Sequence, residues 1–326
     1  MITTLTHRLT LVALATTLLV VGVGCESETS DSAEQSNKEE QVESQQETGG
    51  EAAAEAAETE SEDGEAQKIV TLGGTVTEVV YALGAGDRVV AVDKTSVYPP
   101  ETEDKRTLDL FSKTSAESVL SYEPDIVIAT EEVEPPEALE KIEAADVKVV
   151  EVEPTETIEG ALERIAAIGE ARRLGEKGEE HNEKLEEDEI RAGGVGDTCE
   201  EPPKTLFVYA RGKGTVFVSG TDTSAAKMIE KAGGEHVPKD IEGFKPLTPE
   251  SVVDVSPDAI VLTTRGLQSL GGVEGLAKLP GLGESKAVEN GRVVAMDDLK
   301  LLGFGPRSGQ ALEELSRKLC QLDEDG

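Results

Sequence analysis

The chain has 326 residues, with 67 Asp and Glu against 31 Lys and Arg, a formal net charge of −36, 3% aromatic residues and no Trp. Nothing in that balance supplies a phosphate-neutralising patch, which excludes nucleic-acid binding. The phosphate-loop, GxSxG and HExxH signatures are all missing, which argues against an enzyme.

Residues 1–25 carry a weakly basic start (His7, Arg8), an apolar run from Leu9 to Val23, and then Gly24-Cys25. The run is too short and wrongly flanked for a spanning helix and reads as a signal peptide. A Cys directly after small residues at the cleavage point fits a lipoprotein signal, with Cys25 as the lipidated N-terminus. Residues 26–66 hold fifteen acids and one Lys among Ser, Gln, Gly and Ala. They have too little apolar surface to offset their ordering entropy, and they read as an extended acidic disordered tether. This leaves −23 for residues 67–326. Such a surface suits concentrated salt, where screening removes self-repulsion, and implies a halophilic source.

From Lys68 the pattern is α/β. Strands are expected at 68–74 (ending in glycines), 87–93, 124–130 and 147–153, with helices at 75–86 and 136–144 between them. Near-continuous apolar strands alternating with helices argue for a parallel sheet covered on both faces. Residues 155–192 show helical spacing (Ile158, Leu162, Ile165, Ile168) and read as one long backbone helix. A second lobe, 193–326, follows with strands at 205–210, 259–264 and 292–298 and helices at 224–234 and 309–319. The two lobes are alike because the chain repeats itself: ESVLSYEPDIVIAT (117–130) returns as ESVVDVSPDAIVLT (250–263). A repeat of that period means paired lobes rather than a solenoid. The expected fold is therefore two Rossmann-like α/β lobes, 67–154 and 193–326, joined by one helix, with a ligand cleft between them. Cys199 and Cys320 form an even pair in an oxidising compartment, so a disulfide is plausible there. No CxxC or Cys/His cluster suggests structural zinc.

Ligands of open parallel sheets bind outside the carboxyl ends of the strands. The loops there bring Gly73, Gly74, Lys94 to Pro100 and Glu131-Glu132 from the first lobe. The second lobe brings Arg211, Arg265 and the run from Phe304 to Arg307. A tyrosine, Tyr98, on a proline-flanked loop faces several arginines in this reading. The acids Glu131 and Glu132 read as a solvated loop, and Tyr209, near a strand end, stays ambiguous between packing and binding.

The strings IVTLGGTVTEVVYALGAGDRVVAVD, TSVYPPE, SAESVLS, GFKPLTPESVV, TRGLQSLGGVEGLAKLPGL and RVVAMDDLKLLGFGPR resemble the haemin-binding proteins of bacterial haem ABC importers. Those are class III substrate-binding proteins related to the cobalamin and ferric-siderophore binders, and the likeness spans about residues 68–319. It implies a monomeric, lipid-anchored extracytoplasmic binder that takes haem b as transported cargo to an ABC permease with its ATPase. The alternatives are a ferric siderophore or cobalamin as ligand, or a haem scavenger or sensor without a permease. The resemblance assigns Tyr98 as the axial ligand, since a phenolate is a hard anionic donor suited to ferric iron. Some members add a His where this chain has Arg211, which implies five-coordinate haem; His236 is expected on the surface. Relatives carry a basic residue where this chain has Pro100, so Arg265 is assigned as the cation tuning Tyr98. Arg211, Arg265, Lys94 and Arg307 are the candidates to pair with haem propionates. Glu117 and Glu250 match the acids that dock on two permease subunits, against the alternative that each completes a capping box.

Overall fold

A computed structural model of the chain describes residues 68–171, 183, 184, 187 and 201–320. The signal and tether read from the sequence, 1–25 and 26–66, lie outside the described residues.

Uninterrupted β-branched runs set the first sheet. β1 (Ile69–Leu72) and β4 (Ile126–Thr130) are buried at every position, as expected of strands covered on both faces. With β2 (Val89–Asp93), β3 (Arg106–Leu108) and β5 (Lys148–Val152) they form a five-stranded sheet of order β3-β2-β1-β4-β5. Every pairing in it is parallel. The helices between them are α1 (Gly74–Ala82), α2 (Ala116–Leu120) and α3 (Glu137–Glu143).

α4 (Ile158–Glu170) leaves the first lobe, capped where the Thr157 side chain accepts from Gly160 N–H, and it buries Ile158, Ala161, Ile165 and Ile168. The stretch that would continue it toward residue 192 falls largely outside the described residues.

The second sheet is built on β6 (Lys204–Ala210), β10 (Ala259–Thr263) and β11 (Val293–Met296), which are parallel to one another. It differs from the expected all-parallel sheet at its other edge. β7 (Val216–Ser219) pairs antiparallel with the outer half of β6, β9 (Phe244–Pro246) pairs antiparallel with β7, and β8 (Glu235–Val237) pairs parallel with the inner half of β6. The helices are α5 (Ser224–Lys231), α6 (Pro249–Val255), α7 (Thr264–Leu270), α8 (Val273–Leu276), α9 (Lys286–Glu289), α10 (Asp298–Leu302) and α11 (Ser308–Cys320). The repeated sequence is a repeated structure: α2–β4 and α6–β10 each place a fully buried strand beside the first strand of their lobe.

One apolar core runs through both lobes. Val76, Val79 and Val80 of α1 and Ile165 and Ile168 of α4 share it with Phe207 of β6, Met228 of α5 and Leu312 and Leu315 of α11. The lobes are therefore packed against each other as well as linked.

Candidate ligand cleft

The cleft is organised by an acid at the end of an apolar strand. Asp93 closes β2 and is fully buried. Its Oδ1 accepts from Gly73 N–H (3.0 Å), Ser96 Oγ (2.9 Å) and Thr95 Oγ1 (2.9 Å). Its Oδ2 accepts from Thr95 N–H (3.2 Å) and Phe111 N–H (3.3 Å). One carboxylate thus joins three loops at the carboxyl edge of the sheet. Gly73 takes φ +114°, and a Cβ on Gly74 would lie 2.5 Å from the Thr95 carbonyl oxygen. Only glycine lets α1 start so close to the next loop.

Above this scaffold lies a cleft of about 280 Å³ that both lobes line: Gly73, Phe111, Thr130 and Glu156 from one side, Ser224 and Leu302 from the other. Ser224 and Leu302 also line an adjoining apolar chamber of about 450 Å³ with Tyr209, Phe217, Ala225 and Phe244. Tyr209 and Phe244 meet at 5.7 Å between ring centroids, tilted by 57°. The exposed Arg211 holds its guanidinium 5.6 Å from the Tyr209 ring centre.

One further cation lines the cleft, and a second reaches its wall through Glu156. Arg164 of α4 is only 8% exposed and lines it. Its guanidinium donates to the carbonyls of Gly303 (3.2 Å), Phe304 (3.4 Å) and Glu153 (3.2 Å), bridging the lobes, while Nε has no partner. Burial lowers its pKa, opposed by the charge of Glu132. Lys227 of α5 donates to Glu156 at 2.6 Å.

The sequence-derived assignments fare unevenly. Tyr98 does not line the cleft. It lines a separate recess of about 330 Å³ with Glu78, Tyr81, Glu101 and Arg307. Arg307 lies 3.5 Å above the Tyr98 ring centre, so it, and not Arg265, is the cation at that tyrosine. Arg307 is also not an open fork for a propionate: Nε and NH2 bond Glu78 at 2.7 and 2.9 Å, and Glu78 is 3% exposed. Burial works against the Arg307 charge. The hydrogen bonds and charge of Glu78, with Asp297 and Tyr98, nevertheless hold its pKa above the ordinary value. Beside them the Tyr81 hydroxyl is pushed up to about 12 by burial and by Glu101, Asp87 and Asp104. Lys94 pairs with Asp109 at 2.6 Å in a pocket around α2, away from the cleft. Arg265 is exposed on the first turn of α7 and lines neither the cleft nor the chamber. His236 is fully buried rather than on the surface, with Nε2 2.9 Å from Ser219 Oγ. Burial takes its pKa down to about 4.

Glu117 and Glu250 occupy the same position, the second residue of α2 and of α6, and both are exposed. Neither completes a capping box. Ser115 caps α2 by accepting from Ser118 N–H, and Thr248 with Ser251 forms the box at α6. Cys320 is disulfide-bonded; Cys199 and Cys25 lie outside the described residues. Among the described residues, no group of three His, Cys, Asp or Glu side chains could hold a bare metal ion, and no helix is long and apolar enough to cross a membrane.

Sequence reasoning missed Asp93, Phe111, Arg164, Phe217, Ser224 and Phe244. One signal was there to use: the chain has five Phe and four Tyr, and Phe111, Tyr209, Phe217 and Phe244 line the cleft and chamber.

Residues 69–299 match the model of the periplasmic binding protein family. The chain is 28% identical over 258 residues to the uncharacterized ABC transporter substrate-binding lipoprotein YvrC of Bacillus subtilis, covering 78% of this chain and 80% of that one. It is 27% identical over 206 residues to the cobalamin-binding protein of Halobacterium salinarum, covering 61% and 54%. Among solved structures it resembles the periplasmic heme-binding protein RhuT of Roseiflexus sp. RS-1 (TM-score 0.75, 38% identity, 78% of this chain and 98% of that one). It also resembles the heme-binding protein HmuT (TM-score 0.69, 31% identity, 78% and 84%), which is represented too by alanine variants at a tyrosine and at an arginine two residues further on. The chain is a member of the periplasmic binding protein family, whose members bind solutes rather than transform them.

Proposed function

We propose that this protein is the haem-capturing component of an ABC importer, held outside the cytoplasmic membrane by a lipid on Cys25 and the acidic tether of residues 26–66. The observation that carries the ligand is the Tyr209 group: a phenol at the edge of an apolar chamber, an arginine over its ring and Phe244 tilted against it. A macrocycle in that chamber has apolar side chains for its faces. A hard oxygen donor suits ferric iron, and Arg211 stands two residues further on for a propionate. We therefore move the axial ligand from Tyr98 to Tyr209. The spacing of Tyr209 and Arg211 equals that of the tyrosine and arginine replaced in the HmuT variants. Glu117 and Glu250, exposed at equivalent places in two alike lobes, suit docking on a two-subunit permease.

A corrinoid is the second reading, favoured by the likeness to a cobalamin-binding protein. Equilibrium dialysis against haemin, cyanocobalamin and a ferric siderophore separates them. Saturable one-to-one uptake of haemin alone is expected; saturable cyanocobalamin uptake with none of haemin would overturn the haem reading.

A further inference from the structure

A side-chain carboxylate already occupies part of the cleft wall. Glu156, just before α4, accepts from Ser224 Oγ at 2.9 Å and from Lys227 Nζ at 2.6 Å. Glu156 and Ser224 both line the cleft, and Ser224 also faces the apolar chamber. Ser224 and Lys227 are three residues apart on α5, so their side chains share one face. The Lys227 and Glu156 side chains are 41% and 39% exposed, a setting in which an ion pair contributes little net stability. A cation that does line the cleft, Arg164, has no carboxylate within hydrogen-bonding reach, although the charge of Glu132 on the same wall favours its protonated form. The Arg164 guanidinium is buried against three neutral carbonyls with Nε unpartnered, so its charge is only partly balanced, by Glu132 at longer range.

We propose that Ser224 and Lys227 form a carboxylate subsite of the cleft, which Glu156 fills in the empty protein and gives up to a carboxylate of the ligand. The exchange conserves charge and bonds: one carboxylate leaves for water, where its exposure already half places it, and another takes the same hydroxyl and ammonium. A ligand bearing an ester or amide at that point would leave Lys227 without an anion, so it keeps Glu156 in place. The identity of the incoming group as a haem propionate rests on the haem reading above. The subsite then selects against corrinoids, whose side chains are amides. The competing account is a fixed strap, since Lys231 lies 3.9 Å from Glu159 one turn further along the same two elements.

The two accounts give opposite signs. The full chain, wild type beside Glu156→Gln and Lys227→Met, is titrated with haemin and with haemin dimethyl ester by absorbance, and thermal unfolding is followed in parallel. Removing the competing acid in Glu156→Gln tightens haemin by about 3- to 5-fold, and Lys227→Met weakens it by about 10-fold. The ester shifts by about 2-fold or less in both variants. Haemin binding that is weakened or unchanged in Glu156→Gln, or ester affinities that move in parallel with the acid, would overturn the subsite while leaving haem capture intact. Failure of the wild type to bind either porphyrin would overturn the haem reading and the subsite with it.

Discussion

Asp93 accepts from five donor groups on three loops while fully buried. Replacing it leaves buried donors unsatisfied, so Asp93→Ala is expected to destabilise the protein by about 3 kcal/mol, read from the denaturant midpoint. Its role was not legible beforehand, because an Asp at the end of a strand reads as the start of a turn until its partners are known. The Arg307–Glu78 pair makes a contrasting case. Glu78→Gln should lower stability by about 3 kcal/mol yet leave haemin affinity within about 2-fold, because the recess around Tyr98 is separate from the cleft. His236 gives a pH dependence. Its folded pKa of about 4 lies below the ordinary 6.5, so the unfolded chain binds the extra proton between those values. The stability is present above pH 6.5 and is lost as pH falls toward 4, by up to about 3 kcal/mol. Unfolding of wild type and His236→Gln at pH 7.5 and 5.0 checks this: the pH penalty should shrink in the variant.

Elements built on long apolar runs were readable. β1, β4, β6 and β10 stand where the chain has mostly apolar runs, and the repeat at 117–130 and 250–263 foretold the equivalence of β4 and β10. The antiparallel edge of β7 and β9 was not, since three- and four-residue strands between glycines carry too little pattern to separate from loop. That edge matters for the site, because it brings Phe217 and Phe244 to the chamber. The sequence could not rank Tyr98 against Tyr209 for a related reason: both lie near the carboxyl ends of strands, and only packing shows that Arg307 covers Tyr98. At α2 and α6 the caps are made by serine and threonine, so Glu117 and Glu250 are not needed as capping-box partners. Charge reversal of both is expected to abolish haem import in cells while leaving haemin affinity of the purified protein within about 2-fold. A parallel loss of affinity would count against docking.

At the scale of the molecule, two lobes share one core and are held together by Arg164 and by the Glu78–Arg307 pair. Such an arrangement favours small adjustments at the cleft over wide opening. The net charge of −36 should make stability rise with salt, and we expect the melting temperature to increase from 0.1 to about 2 M KCl as self-repulsion is screened. We place haem in the cleft and its apolar chamber with Tyr209 on the iron. An optical haemin titration of wild type, Tyr209→Phe and Tyr98→Phe in high salt tests it most directly. A ferric-phenolate charge-transfer band is expected in the wild type and in Tyr98→Phe, with the band lost and affinity reduced at least about 10-fold in Tyr209→Phe. A band that survives in Tyr209→Phe and disappears in Tyr98→Phe would contradict it.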